Sequence, residues 1–499
     1  MKAAAVIAEY NPFHRGHAWQ LREARHLTGA DYCVVLMSPD FVQRGEIALT
    51  DKYTRTRMAL DGGADLVLEL PLRYACAGAG YFARGAVQIL DQLRCIDVLS
   101  FGMEHPDTDL AGRIAEILSR EPEPYRRALK ASLSRGQSYP AARAAALSEV
   151  LSGIDERQSI GTFISSPNNI LALEYMKALR DLGSPISVCP VQRRGSYHEE
   201  PSGHGDAGGM SGSPDFGGII WAGAEQIRAV LRRGDPADLA WLERQMGGEP
   251  AHLLIRSLTG DHPEDQAHSR AGTRSGTRTG SRLKSHTCGL SDDAPEAAFA
   301  ETVSSLPGDS LPRVSRILAE RDARLSLLVH AQLLRCACAG AGQDVFAPYL
   351  DSQEELSRRI VSMLPEYADL DSFADRLQSR NWTRGRIHRV LMQILLDVRR
   401  EPSRALLAPK APGYVRILGF RKEAQPLLHR IAGSCDCALI TKNADASDRI
   451  EGAAGTDPER CRLLQDAYQQ DLYASHVWQL IAGRPVRSEY TRSPVVLSS

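Results

Sequence analysis

Met1-Lys2-Ala3-Ala4-Ala5-Val6-Ile7-Ala8-Glu9-Tyr10-Asn11-Pro12-Phe13-His14-Arg15-Gly16-His17-Ala18-Trp19-Gln20 opens the chain, and the fold is read outward from it. Residues 1–7 form an apolar run of strand length, and Leu21, Ala24 and Leu27 or Thr28 then fall at helical spacing. Between them lies a turn with two histidines around a glycine. Strand, tight turn and helix in that order present unpaired helix N–H groups and the positive end of the helix dipole beside a strand end, which favours a phosphate. Gly16 lets backbone approach a ligand closely. His14 and His17 can donate hydrogen bonds to charge developing on phosphate oxygens. A surface turn that happens to hold two histidines is the competing reading, and the position directly behind an N-terminal strand favours the functional one.

The pattern repeats downstream. Residues 32–37, 65–70, 97–101 and 185–191 read as four more strands, separated by helical stretches over residues 51–60, 81–93 and 107–182. Alternating strands and helices predict a doubly wound parallel sheet, with ligands at the carboxyl ends of its strands. The turn at 9–17, the loop carrying Gln43-Arg44-Gly45-Glu46, and Gly102-Met103-Glu104 all fall at such ends. Asn168 and Asn169 stand near the start of a helix, placed either as caps or as base-recognising amides.

The chain of 499 residues exceeds one ordinary core, and four parts are expected. These are a nucleotide-binding catalytic domain over 1–235, a low-complexity basic linker over 262–293, a mostly helical domain over 300–405, and a small α/β module over 406–499. Residues 201–218, rich in Gly, Ser, Pro and Asp, read as a flexible insertion. The chain's end, from Asp471, reads as helix followed by coil.

A net charge of −1 gives no global field for a polyanion, so an RNA partner needs a local basic patch. Arg380, Arg384, Arg386 and Arg389 crowd one helix start around Trp382, which suits phosphate and base contacts. The alternative is a solvated helix start whose arginines pair with acidic neighbours such as Asp397 and Glu401. Ten cysteines show no regular framework; the pairs Cys336/Cys338 and Cys435/Cys437 sit in apolar settings and read as buried thiols, not metal ligands. No run of eighteen apolar residues and no signal peptide occurs, so a reducing cytoplasm is expected, without membrane or DNA as partner.

Glu9-Tyr10-Asn11-Pro12-Phe13-His14-Arg15-Gly16-His17 resembles the nucleotidyltransferase-like tRNA(Met) cytidine acetate ligases. The likeness continues through residues 37–46, through 59–71, and at Phe101-Gly102-Met103-Glu104, Pro167-Asn168-Asn169-Ile170-Leu171 and Tyr197-His198. It resumes over 382–391 and at Val415-Arg416-Ile417-Leu418-Gly419-Phe420, close to full length. The resemblance implies a Rossmann-like nucleotidyltransferase domain followed by a mostly helical domain with a small α/β portion. It implies a ligase that activates acetate with ATP, helped by Mg²⁺, and passes the acetyl group to N4 of the wobble cytidine of elongator tRNA(Met).

By the family pattern, ATP is held by Ile7, Ala8, Glu9, Tyr10, Asn11, Pro12, Phe13, His14, Arg15, Gly16, His17, Ala18, Trp19 and Gln20. Gly102, one of Asn168 and Asn169, and Arg193 or its neighbour Arg194 complete that set. His14 and His17 would be catalytic. Gln43 and Arg44 are candidates for acetate or cytidine contact, or a plain helix-leading loop. One departure stands out: where the family has Ser-Ala-Thr-x-Ile-Arg, residues 223–228 read Gly-Ala-Glu-Gln-Ile-Arg. Glu225 therefore puts a carboxylate where a hydroxyl near the triphosphate is expected, and it repels phosphate unless it binds a metal or turns away. Two other functions share parts of these features: adenylylation of a small phosphate-bearing metabolite, and tRNA binding without catalysis around a decayed nucleotide site.

Overall fold

The computed structural model describes residues 1–104, 106–151, 160–161, 163–164, 166–193, 221–260, 306–340, 342–408, 411 and 413–498. Arg194, Tyr197, His198 and the stretches 201–218 and 262–293 lie outside them. The apolar runs form β1 (Ala3–Ala8), β2 (Tyr32–Met37), β3 (Leu66–Glu69), β4 (Val98–Met103) and β5 (Ser187–Gln192). They pair in parallel in the order β5-β4-β1-β2-β3. The chain builds outward from β1 to β2 and β3, then returns to place β4 on the other side of β1. The crevice above β1 and β4 is therefore the topological switch point, where ligands of such sheets bind.

Helices cover both faces. On one side lie α1 (Arg15–Thr28), ended by Gly29 at φ 62°, and α2 (Lys52–Asp61), whose N-terminus is capped by the Asp51 side chain accepting from Thr54 N–H. On the other lie α3 (Ala79–Gln92) and α4 (Pro167–Leu182). The pleat divides β1 accordingly: Ala3 and Ala5 join the core beneath α3 and α4, whereas Val6 joins the core beneath α1 and α2. Further helices are α5 (Ala224–Arg233), α6 (Ser310–Ala339), α7 (Arg384–Leu395) and α8 (Pro458–Ile481). Among the described residues no helix is long and apolar enough to cross a membrane.

The strand expected in the C-terminal α/β portion extends this sheet. β6 (Tyr414–Arg421) runs antiparallel beside β3, Glu69 facing Arg416, and β7 (Ala438–Ile440) continues parallel to β6. The expected terminal coil contains β8 (Val495–Leu497), which pairs with the far end of β6. The physical reason is the edge of β3, a row of unpaired backbone groups that some strand must cover. The helical core of 325–398 packs on this body as well, taking in Phe41, Leu72, Cys76 and Ala77 from the N-terminal part and Trp478 from α8.

Candidate functional site

The backbone of the opening turn holds its own histidines. Tyr10 sits at φ 48°, a left-handed conformation that non-glycine residues adopt at a price of about 1–3 kcal/mol. Packing holds it there: the Tyr10 ring meets Phe13 edge-on at 4.9 Å and His17 at 4.8 Å, and Tyr10 and Phe13 are buried. Phe13 lies on Gly62, where a Cβ would collide with its ring. His14 is the N-cap of α1. Its Nδ1 accepts the Gly16 N–H at 3.1 Å, and the His14 N–H donates to His17 Nδ1 at 3.3 Å. Gly16 is required for this fit, since a Cβ there would stand 2.9 Å from the His14 ring. The two imidazoles lie 3.8 Å apart, centroid to centroid.

These bonds fix the protonation pattern. Burial, and the nearby Arg193 guanidinium, push the His14 imidazole down to about 3. Burial, His14 and Arg193 hold His17 well below the ordinary histidine value. Both rings are neutral, and each Nδ1 accepts a backbone N–H, so each proton resides on Nε2. Neither Nε2 has a partner among the described residues. The pair is a double donor seated at a helix N-terminus, and its polarity suits an incoming phosphate.

The other ATP candidates surround this pair. Ile7 and Ala8 end β1 over the two cores, while Asn11 and Pro12 are buried. Asn11 Oδ1 accepts the Leu49 N–H at 2.7 Å, and its carbonyl accepts from Arg228 at 2.7 Å. Arg15 lies over Trp221, 5.6 Å from the ring centroid, and Ala18, Trp19 and Gln20 are half-buried along α1. Gly102 ends β4 beneath Arg193, whose Cγ would be 3.4 Å from a Cβ there. The Arg193 N–H donates to the Met103 carbonyl at 2.8 Å, which brings its charge to the histidines.

Asn168 and Asn169 act at the start of α4 in an unforeseen way. Glu104 caps that helix from β4: its carboxylate accepts from the Asn168 side chain at 2.6 Å and from the Asn169 N–H at 3.2 Å, while the Glu104 N–H donates to Asn169 Oδ1 at 3.1 Å. The residue before the helix, Ser166, makes no side-chain cap. Asn169 Nδ2 is buried without a partner among the described residues.

The second strand-end loop is tied to both neighbours. Gln43 N–H donates to Glu9 Oε1 at 3.0 Å. Arg44 pairs with Glu225 at 3.1 Å, and Arg228 pairs with Glu46 at 3.3 Å, two crossing ion pairs that bind this loop to the start of α5. Glu225 thus turns to Arg44. Gly45, at φ 74°, lies so close to α7 that a Cβ would collide with the backbone of Arg389.

Three of the four clustered arginines are engaged within the protein. Arg384 pairs with Asp371 and Asp375, both at 2.7 Å; Arg386 donates twice to the Asp351 carbonyl and stacks on Trp382; Arg389 Nε pairs with Asp351 at 2.7 Å. Trp382 is 3% exposed and offers no face for a base. Arg380 lies over the turn at Gly136, exposed and without an ion pair among the described residues. No local pattern in the sequence points to Asp351, which sits over 30 residues from the arginines it organises.

The family model described as HIGH Nucleotidyl Transferase matches residues 1–209 and 270–493. The tRNA(Met) cytidine acetate ligase of Syntrophomonas wolfei is 43% identical over 99% of each chain, and that of Acetivibrio thermocellus is 31% identical over 100% of each. Among solved structures, Thermotoga maritima TmcAL bound with alpha-thio ATP shares the fold with a TM-score of 0.74, at 24% identity over 100% of both chains.

Proposed function

Since the chain belongs to the HIGH nucleotidyl transferases and, among them, to the tRNA(Met) cytidine acetate ligases, we propose that its switch-point site activates acetate with ATP and that the acetyl group passes to N4 of the wobble cytidine of elongator tRNA(Met). The observation that carries the reading is the pair of neutral Nε2–H donors at the N-terminus of α1, above the β1–β4 crevice.

An acetate oxygen attacks the α-phosphorus of ATP and pyrophosphate leaves. Positioning and charge stabilisation do most of this work. His14 donates to the α-phosphate, His17 to the departing pyrophosphate, and Arg193 adds a positive charge beside both. Because the rings are neutral before ATP arrives, they enter as hydrogen-bond donors. Among the described residues no group of three or more His, Cys, Asp or Glu side chains could cage a cation. A Mg²⁺ ion bound with the nucleotide would supply charge neutralisation at its phosphates. The chain works in the cytoplasm, where its tRNA substrate is found.

Pyrophosphate exchange into ATP, measured with and without acetate and with and without tRNA(Met), tests the reading. Exchange that requires acetate is expected. Exchange supported only by a phosphorylated metabolite would point to the adenylyltransferase alternative, and tRNA binding without any exchange to a non-catalytic one.

A further inference from the structure

The helix start expected to meet RNA is engaged inside the protein: Arg384, Arg386 and Arg389 each have an internal partner, and Trp382 is buried. A cleft elsewhere carries what that stretch lacks. It lies between the start of α2 and the chain that follows α8 and encloses about 490 Å³. Its lining includes Lys52, Tyr53, Trp478, Arg484, Arg487 and Arg492, together with the acids Asp40, Asp51 and Glu489. The loop from Asp40 to Asp51 follows β2 and leads from this cleft to the histidine turn, where the Leu49 N–H donates to Asn11 Oδ1 at 2.7 Å. Cleft and histidines therefore share the carboxyl end of the sheet.

The three acids of the cleft are answered from within. Asp40 lies 3.7 Å from Lys52 and accepts from Ser475 at 2.6 Å. Glu489 lies 3.3 Å from Lys52 and 2.8 Å from Arg416, and Asp51 pairs with Arg484 at 3.2 Å. Asp40 and Glu489 are buried, whereas Arg484, Arg487 and Arg492 are half-buried and reach solvent. The arginines are also held in place. Arg484 lies over the Trp478 ring, 5.2 Å from its centroid. Gln479 grips residue 487 twice: its Oε1 accepts the Arg487 N–H at 2.7 Å, and its Nε2 donates to the Arg487 carbonyl at 3.2 Å. Arg492 lies over the Tyr53 ring, 5.5 Å from its centroid. That ring is the only contact of the Arg492 guanidinium among the described residues, so its N–H donors are left for a ligand in a position that stacking fixes.

We propose that this cleft seats a backbone phosphate of the RNA substrate, with Arg487 and Arg492 as its donors, while the target nucleotide extends towards the histidine turn. The inference rests on the acetate ligase reading. A planar guanidinium matches the oxygens of a phosphate. Tyr490 stands between the two arginines in the chain and is 52% exposed. An aromatic interleaved with arginines suits a single-stranded segment, whose bases stack where its phosphates are held, and this favours RNA over a free anion. Phosphate contacts position a strand without reading it, so the cleft contributes affinity and register, not the choice of base.

Binding of tRNA(Met) to the full chain is measured across a salt series for wild type, Arg492→Ala, Arg487→Ala and Arg492→Lys. Acetate-dependent pyrophosphate exchange is followed without tRNA on the same samples. Either alanine variant should weaken binding and lower the slope of log affinity against log salt by roughly one, while Arg492→Lys, which keeps the charge, should keep the slope. Exchange without tRNA should match wild type in all three. Where Arg492→Ala does not fold, Arg487→Ala carries the test. Unchanged affinity and slope in the alanine variants overturn the proposal, as does a wild type that binds no tRNA. Inorganic phosphate that raises the thermal midpoint of wild type but not of Arg492→Ala, with tRNA binding unaltered, assigns the cleft to a free anion and overturns it too. A wild type whose tRNA binding depends on Arg492 but which shows no exchange removes the ligase reading and leaves the RNA seat in place.

Discussion

His14 and His17 work as a unit because one stretch of backbone orients both rings. On the proposed function, replacing either with Ala would remove one donor to the phosphates, and acetate-dependent exchange should fall by about a hundred- to a thousandfold, measured as the initial rate with ATP saturating. The same burial has a consequence for stability. Unfolded His14 takes up a proton near the ordinary histidine value of 6.5, while the folded ring does so only near 3. Between those values the unfolded chain binds more protons, so stability is complete above about pH 6.5 and is lost as pH falls, by up to about 1.4 kcal/mol per pH unit for this group. Denaturant midpoints from pH 7 to pH 5 should decline less in His14→Ala than in wild type. At this scale the sequence was readable where the structure is local: strand, histidines, glycine and helix lie within about thirty residues. Glu225 was not, because its partner Arg44 lies 181 positions away.

Among elements, the seam between the 42–46 loop and α7 is the tightest. Gly45→Ala places a side chain at a left-handed φ and against the Arg389 backbone. The conformation alone costs about 1–2 kcal/mol, and the collision adds to it, so the thermal midpoint should drop by several degrees in calorimetry. The arginines at and just before α7 divide by what already holds them. Arg384→Ala breaks two exposed ion pairs and should leave tRNA affinity within about twofold, since such pairs contribute about 0–1 kcal/mol. Arg380→Ala, if that side chain meets a phosphate, should lower the slope of log affinity against log salt by roughly one. Filter binding across a salt series distinguishes them. The helices were legible from apolar spacing and the parallel strands from apolar runs. The three-residue β8 was too short to carry any pattern, and the Glu104 cap on α4 needs β4 and α4 already in place.

Across the whole molecule, the N-terminal sheet and the C-terminal segment are joined through buried charge. Lys52, 1% exposed, donates to Glu69 at 2.6 Å and to Ser475 at 2.9 Å, and lies 3.3 Å from Glu489; Arg416 pairs with Glu489 at 2.8 Å. Lys52→Met leaves these carboxylates short of a cation and should destabilise the fold by about 3–5 kcal/mol, read from chemical denaturation. Removing residues 406–499 should give an insoluble product, because it strips the partner from β3 and leaves Lys52, Glu69 and Asp40 half-balanced. The parallel sheet was expected from its alternating strands and helices; its antiparallel continuation was not, since nothing near residue 414 states which edge it will meet.

The pairing of β3 with β6 also sets a clock on biosynthesis. Glu69 leaves the ribosome roughly 345 residues before Tyr414 does. At about 5–20 residues per second, the rim of β3 waits roughly 17–70 s for its neighbour, and the acids around Lys52 wait with it. For that interval a nascent chain shows an apolar, hydrogen-bonding ledge to whatever is nearby, so its yield in cells should depend on holdase chaperones and on translation speed over residues 70–414 more than on the stability of the finished protein.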